Sequence, residues 1–364
     1  TLHIVPWNLA WFGSNSGGPS NLELQYNNAK RVMQTMDADI IAFQEISNDA
    51  QMERLVSELP GYSFVKSDVY SYSQRPSSGA TLDPQKLYIV YKDETVKIKN
   101  QKVLLNGLYK EILDGRELPN YPGSSESFWA SGRLPYLVEV EATMNGVTQK
   151  LHLLNLHTRA NSGTDVSRYN MRKYDVEVLK DSLAAHYPNI NLVMLGDMNE
   201  DVDISVVNNL PSSLNAFVLD NNYKTLTYDL STTGAFTYAG GSFQSFLDHI
   251  IVSKSLVDEY IEESITIENQ FLNSISSFRP TTSDHVPVSA RFSFSATPAV
   301  GITAPTLTKT EGDAPFAVTM SISSAQPKAH TIYLTVKDGA TATAADYTTA
   351  PVAANNVIAV DVPA

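Results

Sequence analysis

Short apolar runs that carry Asn, Asp, Glu or His at one end recur through most of the chain, and they limit the possible fold more than any other feature. Five of them end in the polar group and a sixth begins with it; they are Pro6-Trp7-Asn8, Ala42-Phe43-Gln44-Glu45, Asn155-Leu156-His157, Gly196-Asp197-Met198-Asn199, Ser283-Asp284-His285 and, with the acid at the strand start, Phe246-Leu247-Asp248-His249. Apolar runs of this length between turn signals are typical of buried strands. The pattern predicts sheets that present their polar groups at one rim.

Strand-like and helix-like stretches alternate from Leu2 to Phe294. The predicted strands are His3–Leu9, Asp39–Glu45, Leu87–Tyr91, Leu134–Thr143, Val147–His157, Asn191–Asp197, Phe246–Ser253 and Val286–Phe294. Helical periodicity predicts helices at Leu22–Met36 and Ser167–His186. The short loops and the non-helical connections favour a mixed, mainly antiparallel α/β sandwich over a doubly wound parallel sheet.

The dipeptide Asn145-Gly146 lies between two alternating runs and predicts a two-residue hairpin turn. A turn of that length places Leu134 opposite His157 across the ladder. Arg133 and His157 are therefore expected at the same end of this hairpin.

The composition of the chain changes after Phe294. Residues 295–300 have the character of a linker, and residues 301–364 are rich in Ala, Thr and Val without helical periodicity. Short strands predicted at Ala317–Ile322 and Thr331–Val336 indicate a small β-sandwich. This segment is shorter than the roughly 100 residues of a complete sandwich. We therefore expect a main domain at 1–294, a linker, and a partial β-sandwich.

Charge and cysteine content exclude several classes of function. The chain has 26 Lys and Arg against 39 Asp and Glu, which gives a formal net charge of −13. That balance excludes a generally basic nucleic-acid coat, but not an enzyme that meets phosphates at one metal-neutralised cleft. The absence of cysteine excludes disulfides, zinc–thiolate sites and thiol nucleophiles. No apolar run approaches the roughly 20 residues of a membrane-spanning helix.

Each polar segment taken alone has an ordinary structural explanation. A lone Glu at a strand end is usually a solvated or capping carboxylate, and Asp-x-Asn after a strand is more often a turn than a ligand pair. The joint occurrence of six such segments favours a functional site over these explanations.

Taken together, the segments resemble the endonuclease/exonuclease/phosphatase superfamily, the fold of deoxyribonuclease I and the apurinic endonucleases. The resemblance spans Leu2 to Phe294 and rests on Trp7-Asn8, Gln44-Glu45, Leu156-His157, Gly196-Asp197-Met198-Asn199, Leu247-Asp248 and Ser283-Asp284-His285-Val286-Pro287-Val288. It implies a four-layer α/β sandwich and Mg²⁺- or Mn²⁺-dependent hydrolysis of a phosphate ester. His157 stands where apurinic endonucleases carry a tyrosine motif, which places the chain nearer the deoxyribonuclease I and sphingomyelinase branches.

The resemblance also implies a metal site and a water-activating acid. Glu45 would be the main metal ligand, with Asn8 and Asp284 nearby, and such oxygen donors suit a hard cation. Asp197 would orient or deprotonate the attacking water. Asn199 would hold a phosphate oxygen.

Further roles follow from the same resemblance. Asp248 would pair with His285 and fix its tautomer, while His157 would be a candidate proton donor to the leaving oxygen. Arg133 matches a family arginine that grips a phosphate as a bidentate fork. Gln85 stands where deoxyribonuclease I has an acid that orients the first histidine, and a carboxamide supports an imidazolium less than a carboxylate does.

The C-terminal segment resembles a Calx-beta module. The matching residues are Thr310-Glu311-Gly312-Asp313, Lys337-Asp338-Gly339-Ala340-Thr341-Ala342 and Ala345-Asp346-Tyr347. The resemblance implies an extracellular β-sandwich that binds Ca²⁺ through Glu311, Asp338 and Asp346. It favours a secreted or cell-surface location.

Three functions are weighed at this point. The leading hypothesis is a secreted, monomeric, metal-dependent phosphodiesterase that acts on nucleic acid, chiefly DNA cut without strong sequence preference. The same chemistry on a small or lipid phosphoester, such as a sphingomyelin-like or inositol-phosphate substrate, is the alternative that the acidic composition keeps open. An inactive binding or adhesion protein is the third, and it would require a lost site residue, whereas all the positions are filled.

Overall fold

A computed structural model describes residues 1–71, 79, 82–240, 243–295, 300–303, 310, 312–322, 330–335, 348–355 and 357–362. The chain divides into two units, Thr1–Phe294 and Ser295–Ala364.

Two six-stranded sheets form the centre of the Thr1–Phe294 unit. Its strands are β1 (Leu2–Phe12), β2 (Ile40–Ile46), β3 (Tyr62–Lys66), β4 (Lys86–Lys92), β5 (Val96–Val103), β6 (Tyr136–Met144), β7 (Val147–His157), β8 (Leu192–Asp197), β9 (Tyr223–Thr225), β10 (Tyr238–Gly240), β11 (Phe243–Ser245), β12 (Asp248–Ser253), β13 (Thr266–Ile267) and β14 (Val288–Phe292). The first sheet has the order β13-β14-β1-β2-β4-β3, the second has the order β5-β6-β7-β8-β12-β9, and β10 and β11 form a separate hairpin.

Among the described strands, each large sheet contains one parallel pair. These pairs are β1–β2 and β7–β8, and the other neighbours are antiparallel. Parallel neighbours end at the same edge of a sheet. The carboxyl ends of these four strands carry Asn8, Glu45, His157 and Asp197, four of the predicted site residues.

Helices cover the outer faces of both sheets. They are α1 (Leu22–Met36), α2 (Asp49–Ser57), α3 (Asn106–Leu113), α4 (Phe128–Gly132), α5 (Val166–His186), α6 (Asn215–Val218), α7 (Tyr228–Ser231), α8 (Gln270–Ser274) and α9 (Phe278–Thr281). Apolar side chains of α1 and α2 pack on the first sheet, and those of α3, α5 and α6 pack on the second. Within the described residues, no helix is both long enough and apolar enough to cross a membrane.

The two sheets pack face to face through a third apolar cluster, which includes Ile4, Ile40, Val138 and Val193. The layers therefore run helix, sheet, sheet, helix. The predicted four-layer sandwich of two mainly antiparallel sheets is confirmed.

The predicted hairpin is also present. Asn145 and Gly146 have φ values of 52° and 78°, as a two-residue type I′ turn requires. Met144 pairs with Val147, and the ladder runs without a shift to Tyr136 opposite Asn155. Arg133, just before β6, consequently lies near the end of β7.

The Ser295–Ala364 unit contains two antiparallel strand pairs, β15 (Val300–Thr303) with β16 (Thr319–Ile322), and β17 (His330–Thr335) with β18 (Val357–Val362). Both predicted strands of this segment overlap observed ones, β16 and β17. The candidate Ca²⁺ ligands Glu311, Asp338 and Asp346, and residues 296–299 of the linker, lie outside the described residues. The Calx-beta resemblance and Ca²⁺ binding stay predictions.

Candidate active site

The ends of β1 and β2 are irregular, and this irregularity presents Glu45. The β1–β2 register shifts between Asn8 and Phe12, and Ala10, Trp11 and Glu45 have positive φ values of 43°, 57° and 61°. Left-handed backbone costs a non-glycine residue roughly 1 kcal/mol or more, and such strain clusters at functional sites. One result is that the Trp11 amide donates to Oε2 of Glu45 at 3.0 Å.

The Asn8 amide bridges the two central carboxylates. Its Oδ1 accepts from the Ala10 backbone N–H at 2.9 Å, and its Nδ2 donates to Oε1 of Glu45 at 3.1 Å and to Oδ2 of Asp197 at 2.9 Å. Because a backbone N–H only donates, the Ala10 contact fixes which way the amide points. In this structure the Asn8 amide nitrogen spaces the two carboxylates, and the role of Asn8 as a metal ligand stays a prediction.

Glu45, His157 and Asp197 together could hold a metal ion. Their ligand atoms lie within 4.8 Å of one another. Nε2 of His157 is 3.6 Å from Oε1 of Glu45 and 3.4 Å from Oδ2 of Asp197. The two carboxylates are donors that suit a hard divalent cation such as Mg²⁺ or Mn²⁺.

Negative charge accumulates at this point of the interior. Burial, followed by the nearby charge of Asp284, raises the pKa of Glu45 to about 7, although the hydrogen bond from Asn8 opposes this shift. Burial likewise raises the pKa of Asp197 above its ordinary value. Buried carboxylates that resist ionisation in this way are stabilised in their charged form by a bound cation. Asp284, predicted as a ligand, is partly buried beside this pair.

The predicted pair of Asp248 and His285 forms a hydrogen bond of 2.7 Å between Oδ2 and Nδ1. Burial alone would lower the pKa of His285, but the negative charges of Asp248 and Asp197 outweigh it and hold the pKa well above 6.5. The two carboxylates therefore favour the protonated form of the His285 ring. Its Nε2 lies 3.7 Å from Oδ2 of Asp197, so it faces the carboxylate cluster.

Contacts with β1 hold this histidine in place. The Ser283 hydroxyl donates to the Asn8 carbonyl at 2.6 Å and accepts from the His285 backbone N–H at 3.0 Å. The Trp7 indole N–H donates to the His285 carbonyl at 3.1 Å. The Ser-Asp-His segment is thereby attached to the strand that carries Asn8.

His157 has the opposite protonation state from His285. Burial, followed by the positive charges of Arg133 and His285, holds its pKa well below 6.5, and its Nδ1 has no hydrogen-bond partner. A neutral imidazole is a poor proton donor. The surroundings thus favour the charged form at His285 rather than at His157, and the role of His157 as proton donor stays a prediction.

Arg133 and Gln85 differ from their predicted roles. Arg133 is buried, and its Nε, NH1 and NH2 donate to the His157 carbonyl at 2.9 Å, Oε1 of Gln85 at 2.7 Å and the Thr158 carbonyl at 2.7 Å. The guanidinium therefore holds the end of β7 rather than opening toward a phosphate. Gln85 receives Arg133 and does not contact Nδ1 of His157.

The loop after β8 fixes Asp197. The Asn199 backbone N–H donates to Oδ1 of Asp197 at 2.9 Å, and its side-chain amide donates to the Thr158 carbonyl at 3.3 Å. Gly196 has a φ of +133°, and a Cβ there would lie 2.1 Å from the Leu156 carbonyl oxygen. Only glycine fits where β7 and β8 approach each other beneath the site.

Tyr238 lies beside the site, and no sequence pattern predicted it there. The Tyr238 ring lies 5.0 Å from that of His285, and burial together with the charges of Asp284, Asp197 and Glu45 raises its pKa. Tyr238 lies on β10, a strand of three residues that apolar periodicity cannot detect. Phe243, on the partner strand β11, is 48% exposed and 6.1 Å from the Tyr238 ring.

A four-layer sandwich with buried carboxylates and two histidines at one rim is suited to the hydrolysis of phosphoester bonds. Residues 7–285 match the model of the Endonuclease/Exonuclease/phosphatase family, and the chain belongs to this family. It is accordingly a phosphoester hydrolase. No curated protein matches the chain significantly.

Solved structures share the fold at low sequence identity. An endonuclease/exonuclease/phosphatase from Bacteroides vulgatus is 13% identical and has a TM-score of 0.53. The match covers 81% of this chain and 99% of that chain. The catalytic domain of human Nocturnin with bound sulfate is 16% identical and has a TM-score of 0.52. The match covers 81% of this chain and 94% of that chain. D. rerio TDP2 complexed with a single-strand DNA product is 14% identical and has a TM-score of 0.52. The match covers 80% of this chain and 99% of that chain.

Proposed function

We propose that this protein is a secreted, divalent-metal-dependent phosphodiesterase that hydrolyses DNA. The observation that carries the proposal is the approach of the Glu45, His157 and Asp197 ligand atoms to within 4.8 Å beside the hydrogen-bonded Asp248–His285 pair. The secreted location rests on the resemblance of the C-terminal segment to an extracellular module.

Glu45 would be the main ligand of the cation, with His157, Asp197 and Asp284 next to it. A bound Mg²⁺ or Mn²⁺ supplies polarisation of a phosphoryl oxygen and offsets the negative charge that develops on it. Asp197, with its raised pKa, accepts a proton from the attacking water near neutral pH. Asn8 maintains the spacing of the two carboxylates through its bonds of 3.1 and 2.9 Å.

His285 stabilises the phosphate from the side opposite the cation. Asp248 occupies Nδ1, so Nε2 is the nitrogen that carries a proton toward the substrate. A charged imidazolium aimed at the phosphate favours the transition state more than the ground state, because negative charge increases there.

Two lysines at the rim of the site support a nucleic-acid substrate. Lys86 begins β4 and pairs with Ile46, the residue after Glu45, so it lies at the same rim as the site. Its Nζ is 2.7 Å from Oδ2 of Asp49, and Nζ of Lys66 is 2.5 Å from the same oxygen. The acids Glu53 and Asp68 are also close to Lys66, so the two lysines offer ammonium groups for contact with a backbone phosphate but no net positive charge. The same fold is known in D. rerio TDP2 complexed with single-strand DNA product, which also supports this substrate.

A small or lipid phosphoester is the second candidate substrate. The observation that favours it is the formal charge of −13, since a long polyanion gains affinity and association rate from positive flanks that this chain mostly lacks.

The experiment compares substrates directly with purified protein and Mn²⁺. Supercoiled plasmid and single-stranded DNA are tested against sphingomyelin vesicles and inositol phosphates, at rising salt. Cleavage of DNA that weakens steeply with salt, and weakens about tenfold in Lys66→Met/Lys86→Met, supports the proposal. Turnover of a small or lipid ester with intact DNA would reject it in favour of the second candidate.

A further inference from the structure

A bulge in β2 lies immediately before Glu45. Phe43 pairs with Tyr88, but Ile46 pairs with Lys86, so β2 has one residue more than β4 over this interval. A bulge leaves part of the ladder without its usual hydrogen bonds and turns the following residue to a new direction. Here the residue that turns is Glu45, with a φ of 61°.

A side chain from the opposite sheet replaces hydrogen bonds at this bulge. Nδ2 of Asn155, on β7, donates to the Phe43 carbonyl and to the Tyr88 carbonyl, both at 3.0 Å. Its Oδ1 accepts from Nε2 of Gln44 at 2.7 Å. Nε2 of Gln44 also donates to the Ala42 carbonyl at 2.9 Å.

This contact crosses the apolar layer between the sheets. Asn155 and Gln44 are both 0% exposed. The layer between the sheets is otherwise built from the aliphatic side chains of the inter-sheet cluster. Inside such a layer, a polar group that lacks a partner is strongly unfavourable, so the amide geometry tightly limits how β2 and β7 can shift relative to each other.

The two linked residues are close in sequence to two site residues. Gln44 directly precedes Glu45, and Asn155 precedes His157 by two residues on the same strand. We propose that Asn155, together with Gln44, is a positioning residue that sets the spacing between Glu45 and His157. The inference depends on the hydrolase site described above, and it does not depend on DNA being the substrate.

The variants are Asn155→Leu, Gln44→Met and the double substitution, and Tyr136→Phe is the matched control. Tyr136 is the cross-strand neighbour of Asn155, it is buried in the same layer, and its hydroxyl bonds Gln101 rather than the other sheet. The control thus loses a partly buried hydrogen bond without altering the link between the sheets. Gln44→Met removes fewer contacts than Asn155→Leu and keeps the test valid if the latter fails to fold.

The readouts are Mn²⁺ affinity by calorimetry, thermal unfolding, and kcat and KM on bis(p-nitrophenyl) phosphate. We expect Gln44→Met and Asn155→Leu to weaken Mn²⁺ binding about tenfold and to lower kcat about 30-fold, with KM within threefold of wild type. The double variant should lose little more than the worse single one, because the two side chains act as a unit.

Two results decide the matter. Mn²⁺ affinity and kcat within threefold of Tyr136→Phe in the folded variants would overturn the positioning role and leave Asn155 as a structural residue only. Wild-type protein that hydrolyses the diester but leaves DNA intact would reject the proposed substrate, while the comparison of these variants would still hold.

Discussion

Nδ1 of His285 lies 2.7 Å from Oδ2 of Asp248, and both side chains are at least 95% buried. This bond fixes the imidazole tautomer and places a carboxylate charge where it keeps the ring protonated. The second charge that raises the His285 pKa comes from Asp197, across the site. The reactive state of His285 thus depends on two acids on neighbouring strands, β8 and β12.

Asp248→Asn keeps the shape of this side chain but removes its charge. We expect turnover to fall by about 10²-fold or more, because His285 loses the larger of the two charges that hold it protonated. Steady-state kinetics on a phosphodiester measures the effect, with Asp220→Asn, which breaks only a partly exposed ion pair with Lys180, as control. Turnover within threefold of the control would contradict the role of this pair.

Metal affinity should fall as the pH is lowered through about 7. In the metal-free protein the Glu45 pKa is raised to about 7, so at lower pH a cation must displace a proton from this carboxyl. Below that pH we expect roughly a tenfold loss of affinity per pH unit, and release of about one proton per ion bound. Calorimetry in two buffers of different ionisation enthalpy measures both quantities. Affinity that does not change between about pH 5.5 and 8 would exclude the raised pKa.

Arg133 should affect turnover more than substrate binding. Its three donor nitrogens bond two carbonyls at the end of β7 and Gln85, so Arg133→Met should lower kcat about tenfold or more with KM within threefold. Arg133→Lys should resemble it, because an ammonium cannot replace a planar fork of donors. Arg168→Lys, at a partly exposed arginine paired with Asp165, is the control. A rise in KM of tenfold with kcat preserved would instead favour the phosphate grip.

Gly196 should tolerate substitution far less than Gly146, although both have positive φ. A Cβ at Gly196 would lie 2.1 Å from the Leu156 carbonyl, whereas nothing lies within 4 Å of one at Gly146. We expect Gly196→Ala to lower the free energy of unfolding by about 3 kcal/mol or more, and Gly146→Ala by about 1 kcal/mol. Urea unfolding followed by circular dichroism gives both values. Equal losses of unfolding free energy in the two variants would contradict this prediction, because they would show that β7 and β8 can move apart at Gly196.

The long elements were predictable from sequence because local pattern determines them. The bounds of β7 and α1 are those predicted, since alternation and helical periodicity extend over many residues there. The edge strand β5 was missed because its exposed, lysine-rich sequence gives little apolar alternation. Strands of three residues, such as β10, are too short for any period to appear.

The sequence named the residues that meet at this rim, and their functional roles stay predictions; it did not indicate the direction of their hydrogen bonds. The hydrogen bonds of Arg133 follow a turn in which Trp129, Ala130 and Ser131 are all left-handed. L-residues with side chains rarely adopt that conformation, so a sequence pattern does not indicate it. The Asn8 amide likewise takes its orientation from the irregular backbone at Ala10, which arises only when β1 and β2 pair.

The most direct test is hydrolysis of bis(p-nitrophenyl) phosphate by wild-type protein and Glu45→Gln, with Mn²⁺ or with EDTA. The control is Glu58→Gln, an exposed carboxylate paired with Lys30. We predict Mn²⁺-dependent turnover in wild type and in the control, abolished by EDTA and reduced at least about 10³-fold in folded Glu45→Gln. Turnover that persists in EDTA, or in Glu45→Gln within tenfold of wild type, would contradict a metal-dependent site built on Glu45.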